Sequence, residues 1–257
     1  MAQSSQRLRS TYCLTSRIVS LRIAAMAIII RIDVDRPYGR KPLLRHVLSR
    51  CSSDLCFPRT EAFGYLIELK ELLQILRKGG ARAHVLFRRC TLPSNSIMEL
   101  METGRHEIGL HLEDSRSFAT FQHEQSLLER HIGKKVLSFS KHGSGGARYG
   151  YHHYAPYEPE RYFAWAERTQ MKVFFGNLQD PTLRPKSVNG GLSWYPAAFW
   201  LEPHWRDAAK FSVDWLLARA KESDVVVLVH PENLLAAPAL LREFQRIIDQ
   251  LESKIIT

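Results

Sequence analysis

Asp33-Val34-Asp35 stands directly behind the apolar run Ala27–Ile32, His111 behind Ile108–Leu110 and His230 behind Val225–Val229; Val136–Phe139 leads through Ser140-Lys141 to His142. Carboxylates and imidazoles are the donors that hold a Lewis-acidic divalent cation while leaving a position for water. They are also the side chains that exchange protons near neutral pH. A single Asp behind a strand is usually a turn or cap residue. The Asp-x-Asp pair closed by Arg36-Pro37, with His at three other run ends, shifts the balance towards function.

The elements that would bring these groups together are short apolar runs. Ala27–Ile32, Ala83–Phe87, Ile108–Leu110, Val136–Phe139, Val173–Phe175 and Val225–Val229 are mostly β-branched or aromatic and barely alternate. That is the pattern of parallel strands covered on both faces. Between them, Phe63, Leu66, Ile67, Leu69, Leu72, Leu73 and Leu76 follow a helical spacing that Gly79-Gly80 ends. Phe211, Trp215 and Ala218 mark another helix, and Leu240 to Leu251 a last one with Pro238 near its first turn. Strand–helix alternation predicts a parallel α/β fold, barrel or open sheet, in which residues just past the strand ends converge on one face. Residues 141–157 and 177–205 read as long binding loops. His106 and His84 read as structural, His123 and His131 as exposed on a helix, and His152 and His153 stay open. Trp194, Trp200 and Trp205 read first as packing residues, with stacking on a sugar left open.

At 257 residues with 45% hydrophobic and 24% charged residues, the chain suits one large domain. The net charge of +10 favours an anionic partner, but the Lys and Arg residues are scattered and no nucleic-acid-binding motif accompanies them. Nucleic acid is therefore not an expected partner, and an anionic or nucleotide-linked sugar is a second reading. Cys13, Cys51, Cys56 and Cys90 form no CxxC pair, which points to free thiols and a cytoplasmic location. Met1 to Ile32 carries no acidic residue; residues 1–25 read as an unstructured basic extension and 26–257 as the catalytic domain. Ile23 to Ile30 is too short to span a bilayer. A GxSxG elbow is excluded because His142 stands two residues before Ser144, and neither a phosphate-binding GK[ST] end nor HExxH is present.

Five segments resemble the motifs of the polysaccharide deacetylases, the NodB-homology or carbohydrate esterase family four. Ile32-Asp33-Val34-Asp35 resembles the family's paired aspartates and Ala81–Phe87 its second strand. Gly104–His111 resembles the approach to its metal motif, Gly133–Phe139 the approach to its third motif, and Val227–Pro231 its last. The order and spacing run over residues 27–235. The resemblance implies a distorted (β/α) barrel of about seven parallel strands and hydrolysis of acetyl groups from sugars. By position it makes Asp33 the base, Asp35 and His111 metal ligands and His230 the general acid. It implies a divalent cation, Zn first, with Co, Ni, Mn or Fe as alternatives, and a carbohydrate substrate contacted by Gly143, Tyr38 and Trp194. The chain departs from the family where a second His is usual four residues after the first, for Ser115 stands there. His142 is the first candidate for the third ligand and Asp114 the second. The rival reading is a catalytically inactive carbohydrate-binding or assembly protein, with Ser115 as the mark of a lost metal. The divergence resembles a bacterial branch associated with surface polysaccharides.

Overall fold

The structure, a computed structural model, describes residues 28–35, 65–143 and 145–255, with Leu44 and Val47 between the first two stretches. The basic extension at 1–25 and Tyr38 lie outside the described residues. In chain order the elements are β1 (Ile28–Val34), α1 (Tyr65–Lys78), β2 (Ala83–Phe87), α2 (Asn95–Thr103), β3 (Glu107–Leu112), α3 (Phe118–Ile132) and β4 (Ser138–Lys141). There follow α4 (Pro159–Thr169), β5 (Val173–Leu178), β6 (Lys186–Val188), β7 (Leu192–Ala197), β8 (Phe199–Trp200), α5 (Val213–Arg219), β9 (Val225–Val229), α6 (Pro231–Ala236) and α7 (Pro238–Ile255). They form one nine-stranded sheet in the order β6-β7-β5-β4-β3-β2-β1-β9-β8. The sheet curls into a half-barrel with helices around it. Only β6 pairs antiparallel among the described strands.

Two apolar cores explain how the site residues are aimed. Side chains alternate along a strand. Ile30, Ile32 and Val34 of β1, Ile108, Leu110 and Leu112 of β3, Phe139 of β4, and Val225, Val227 and Val229 of β9 all join the larger core. Leu66, Leu69, Leu72, Leu73 and Leu76 of α1 cover that core. Each such side chain contributes about 1.5–3 kcal/mol on burial. The opposite parity faces the concave side, where Leu86, Phe175, Ala198, Trp200, Val226 and Leu228 make a smaller core. Arg31, Asp33, Asp35, His111, Ser140, His142 and His230 have that second parity. The strand ladder therefore aims them at one mouth of the barrel.

The sheet differs from expectation at its ends. About seven parallel strands were expected and nine strands form, because residues 177–205 are not a single long loop: they hold β6 and β7 at one edge of the sheet and β8 at the other. Their sequence hides this, since β7 carries Pro196 and only weakly alternates, while β8 has two residues. No helix among the described residues is long and apolar enough to cross a membrane.

Candidate active site

Asp35 Oδ1 is the point on which the site converges. It lies 3.2 Å from His111 Nε2, 3.4 Å from His142 Nε2 and 3.8 Å from the Arg88 guanidinium. One ligand atom each from Asp35, His111 and His142 lies within 4.8 Å of the other two, and all three residues are buried. His111 Nδ1 pairs with Ser140 Oγ at 2.6 Å, which turns Nε2 inward. Asp35 Oδ1 and His111 Nε2 are buried with no hydrogen bond among the described residues. Buried polar atoms without partners are rare, and a cation among these three donors would satisfy both.

Protonation agrees with that fit. Burial, with the Arg88 charge behind it, pushes His142 well below the usual imidazole range and keeps the ring neutral. Burial alone would raise Asp35, but His142, His111 and Arg88 outweigh it and hold the carboxyl well below its usual value. Ionised carboxylate and neutral imidazole are the forms that bind a divalent cation.

Two charged pairs flank this trio. Arg31 grips Asp33 with two bonds, Nε to Oδ1 at 2.8 Å and Nη2 to Oδ2 at 2.5 Å. The grip is possible because residues i and i+2 share a strand face. Arg31 also donates to Gly176 O and Asn177 Oδ1, each at 2.8 Å. Asp33 Oδ2 lies 3.6 Å from His111 Nε2. On the other side His230 Nδ1 meets Glu202 Oε1 at 2.8 Å, and His230 Nε2 stands 3.7 Å from Asp35 Oδ2. Burial would push His230 down, but the Glu202 charge and hydrogen bond, with Asp35 and Glu232 beyond, push it up to about 10. His230 in turn outweighs burial at Glu202 and lowers that carboxyl.

The structure thus brings Asp33, Asp35, His111, His142 and His230 together, around a cavity of about 330 Å³ that Gly143 also lines. Asp114 is elsewhere engaged: its carboxylate is held by Arg116 at 2.9 and 2.6 Å. Ser115 is buried against the Tyr162 hydroxyl at 3.2 Å. Trp194 sits on β7 against Phe163, with Lys186 over its ring, and does not line the cavity. Trp200 and Trp205 do. His106 accepts the Ala83 N–H, and burial pushes it down to about 4. His84 packs edge-on to Phe175, and His131 meets Pro93 O. His153 accepts from Tyr149 N at Nδ1, so its proton sits on Nε2, facing His142 O at 2.8 Å.

Sequence reasoning missed Arg31, Arg88 and Glu202. Arg31 had a signal, its spacing of two from Asp33. Glu202 follows β8 as the other site groups follow their strands, but β8 has no pattern to read. Arg88 is paired with Glu113 at 2.5 Å, and the Glu113 and Asp114 N–H groups both donate to the Glu124 carboxylate. Burial, reinforced by the Glu113 charge, pushes Glu124 up to about 7. Only the fold reveals this buried chain.

No protein-family profile matches the chain, and no curated protein matches its sequence. Solved structures do match. A probable polysaccharide deacetylase from Pseudomonas aeruginosa PAO1 aligns with TM-score 0.53 at 13% identity over 88% of this chain and 84% of its own. The Puue allantoinase aligns with TM-score 0.52 at 14% identity over the same shares, 88% and 84%. A carbohydrate esterase family four pseudoenzyme from Bacillus anthracis aligns at TM-score 0.42 and 13% identity over 90% of this chain; this chain spans 62% of its length. The fold is the NodB-type (β/α) barrel. That agrees with the motif resemblance.

Proposed function

We propose that the chain is a metal-dependent hydrolase that removes a small acyl group from a sugar or polysaccharide precursor. The observation that carries this reading is the Asp35, His111 and His142 trio with Asp33 on one side and His230 on the other, in one cavity. Asp35, His111 and His142 would hold the cation, and one carboxylate with two imidazoles suits Zn, with Co, Ni, Mn or Fe as alternatives. A cation bound there supplies Lewis acidity towards the acyl oxygen and a lowered pKa for water.

The chain's own residues do the rest. Arg31 fixes the orientation of Asp33, which takes the proton of the attacking water. The His142 N–H is engaged by Leu112 O at 2.8 Å, so the neighbouring Gly143 N–H is the backbone donor to the oxyanion. His230 enters the reaction protonated and gives the Nε2 proton to the departing nitrogen or oxygen, while Glu202 holds Nδ1. A non-catalytic carbohydrate-binding role has Ser115 as its support, but such a role needs neither the Arg31–Asp33 grip nor the His230–Glu202 pair.

Metal analysis of the purified chain, with acetate release from N- and O-acetylated sugars, tests the reading. Stoichiometric metal and turnover are expected, and Asp33→Asn should lower turnover by about 10²–10⁴ while the metal stays bound. A chain that takes up no metal after reconstitution and releases no acetate would be the non-catalytic relative.

A further inference from the structure

The cavity has two unlike sides, and the direction of proton transfer says which part of a substrate meets each. His230 Nε2 gives its proton to the leaving group, so the leaving fragment must sit beside His230. The neighbour of His230 on that side is Trp200, with ring centroids 5.9 Å apart, and Trp200 stacks on Trp205 at 5.2 Å and 8°. The acyl side is closed by Tyr149, whose ring lies 5.5 Å from that of His142. Tyr149 is fixed there by its N–H bond to His153 Nδ1 at 3.1 Å. A Cβ on Gly143 would lie 3.0 Å from His153 Nε2 and 3.1 Å from the Tyr149 ring, so the Gly143 backbone packs directly against that wall.

Size narrows the fit further. The cavity of about 330 Å³ is at the low end of the roughly 300–1,000 Å³ of small-molecule sites, room for one ring and its acyl group.

We propose that the substrate is a compact, singly acylated ring, a monosaccharide-sized unit whose apolar face rests on the Trp200–Trp205 stack. It is neither an extended polysaccharide nor a nucleotide-linked sugar. This rests on the hydrolase reading for its orientation, but it makes its own demand on binding.

The full chain carrying Asp33→Asn is titrated calorimetrically with N-acetylglucosamine, its β-1,4-linked tetramer and its uridine diphosphate conjugate. The single sugar should bind, and neither larger ligand should bind more than roughly threefold tighter. Adding Trp205→Ala should weaken the single sugar by about tenfold, and Trp205→Phe, which keeps a stacking ring, by less than roughly threefold. A tetramer or conjugate that binds more than roughly threefold tighter overturns the proposal. So does Trp205→Ala with less than roughly threefold loss, or a chain that binds none of the three. Acetate release by the unmodified chain separates the two readings. Release from the tetramer without binding of the single sugar keeps the hydrolase and removes this substrate. Binding of the single sugar with no release from any of the three does the reverse.

Discussion

His142 and His230 are both buried imidazoles past the ends of strands, and both approach Asp35, at 3.4 and 3.7 Å. Their surroundings set them to opposite charge. His142 has the Arg88 guanidinium in its field, and burial with that charge pushes it down. His230 has Glu202 on Nδ1 and is pushed up to about 10. Position past a strand brings an imidazole to the mouth, and burial together with the charges around it sets its protonation. A neutral ring can donate a lone pair to a cation; a protonated ring can only give up its proton.

The largest effect should come from removing the neutral member. His142→Ala should lower metal affinity by more than about 100-fold, since even outer partners of a ligand are worth about 10–100-fold. Competition against a chromophoric chelator measures this, and retention of full affinity would erase the division between the two rings. Next comes Glu202→Gln, which should return His230 towards the ordinary value of about 6.5. The protonated fraction at pH 9 would then fall by about 300-fold, against less than about twofold at pH 6. A rate profile whose alkaline limb stays in place would remove Glu202 from the role. Stability should follow the same pair. His230, raised, adds stability that is whole below about 6.5 and lost as pH rises through about 10. Glu202, lowered, adds stability above about 4.3 that is lost as pH falls through its folded value. Glu202→Gln should therefore lower the melting temperature most between about pH 4.5 and 6.5, and the deficit should vanish above pH 10.

The mouth was legible where strands were legible. Val225–Val229 and Ala83–Phe87 match their strands, and Ala27–Ile32 shifts by only one or two residues at each end of β1. Period two then carries Asp33, Asp35, His111, His142 and His230 to one face. What escaped lies where no period exists. Glu202 follows a strand of two residues inside a segment rich in Trp and Pro. The Arg88–Glu113 pair joins groups distant in sequence, and no local pattern announces an ion pair that only the barrel closes. Trp194 and Trp205 share the same aromatic surroundings in sequence, yet the β7 ladder turns Trp194 towards Phe163. Composition could say that an aromatic wall exists but not which ring forms it.

The smallest predicted effect bears on why His142 holds its position at all. Ser115 stands where the resemblance places a histidine, yet it is fully buried and meets the Tyr162 hydroxyl at 3.2 Å. Tyr162 is itself fully buried, among Trp165 and Phe174. Ser115→Ala removes one hydrogen bond there and should cost about 0.5–1.5 kcal/mol of stability, with metal affinity unchanged. Ser115→His must force an imidazole against Tyr162, an overpacking worth about 1–3 kcal/mol, so it should not rescue metal binding in His142→Ala. Denaturant titration and chelator competition on the single and double variants read the two effects separately. Recovery of metal in the double variant would mean that the position of Ser115 still faces the mouth and can supply a ligand in place of His142.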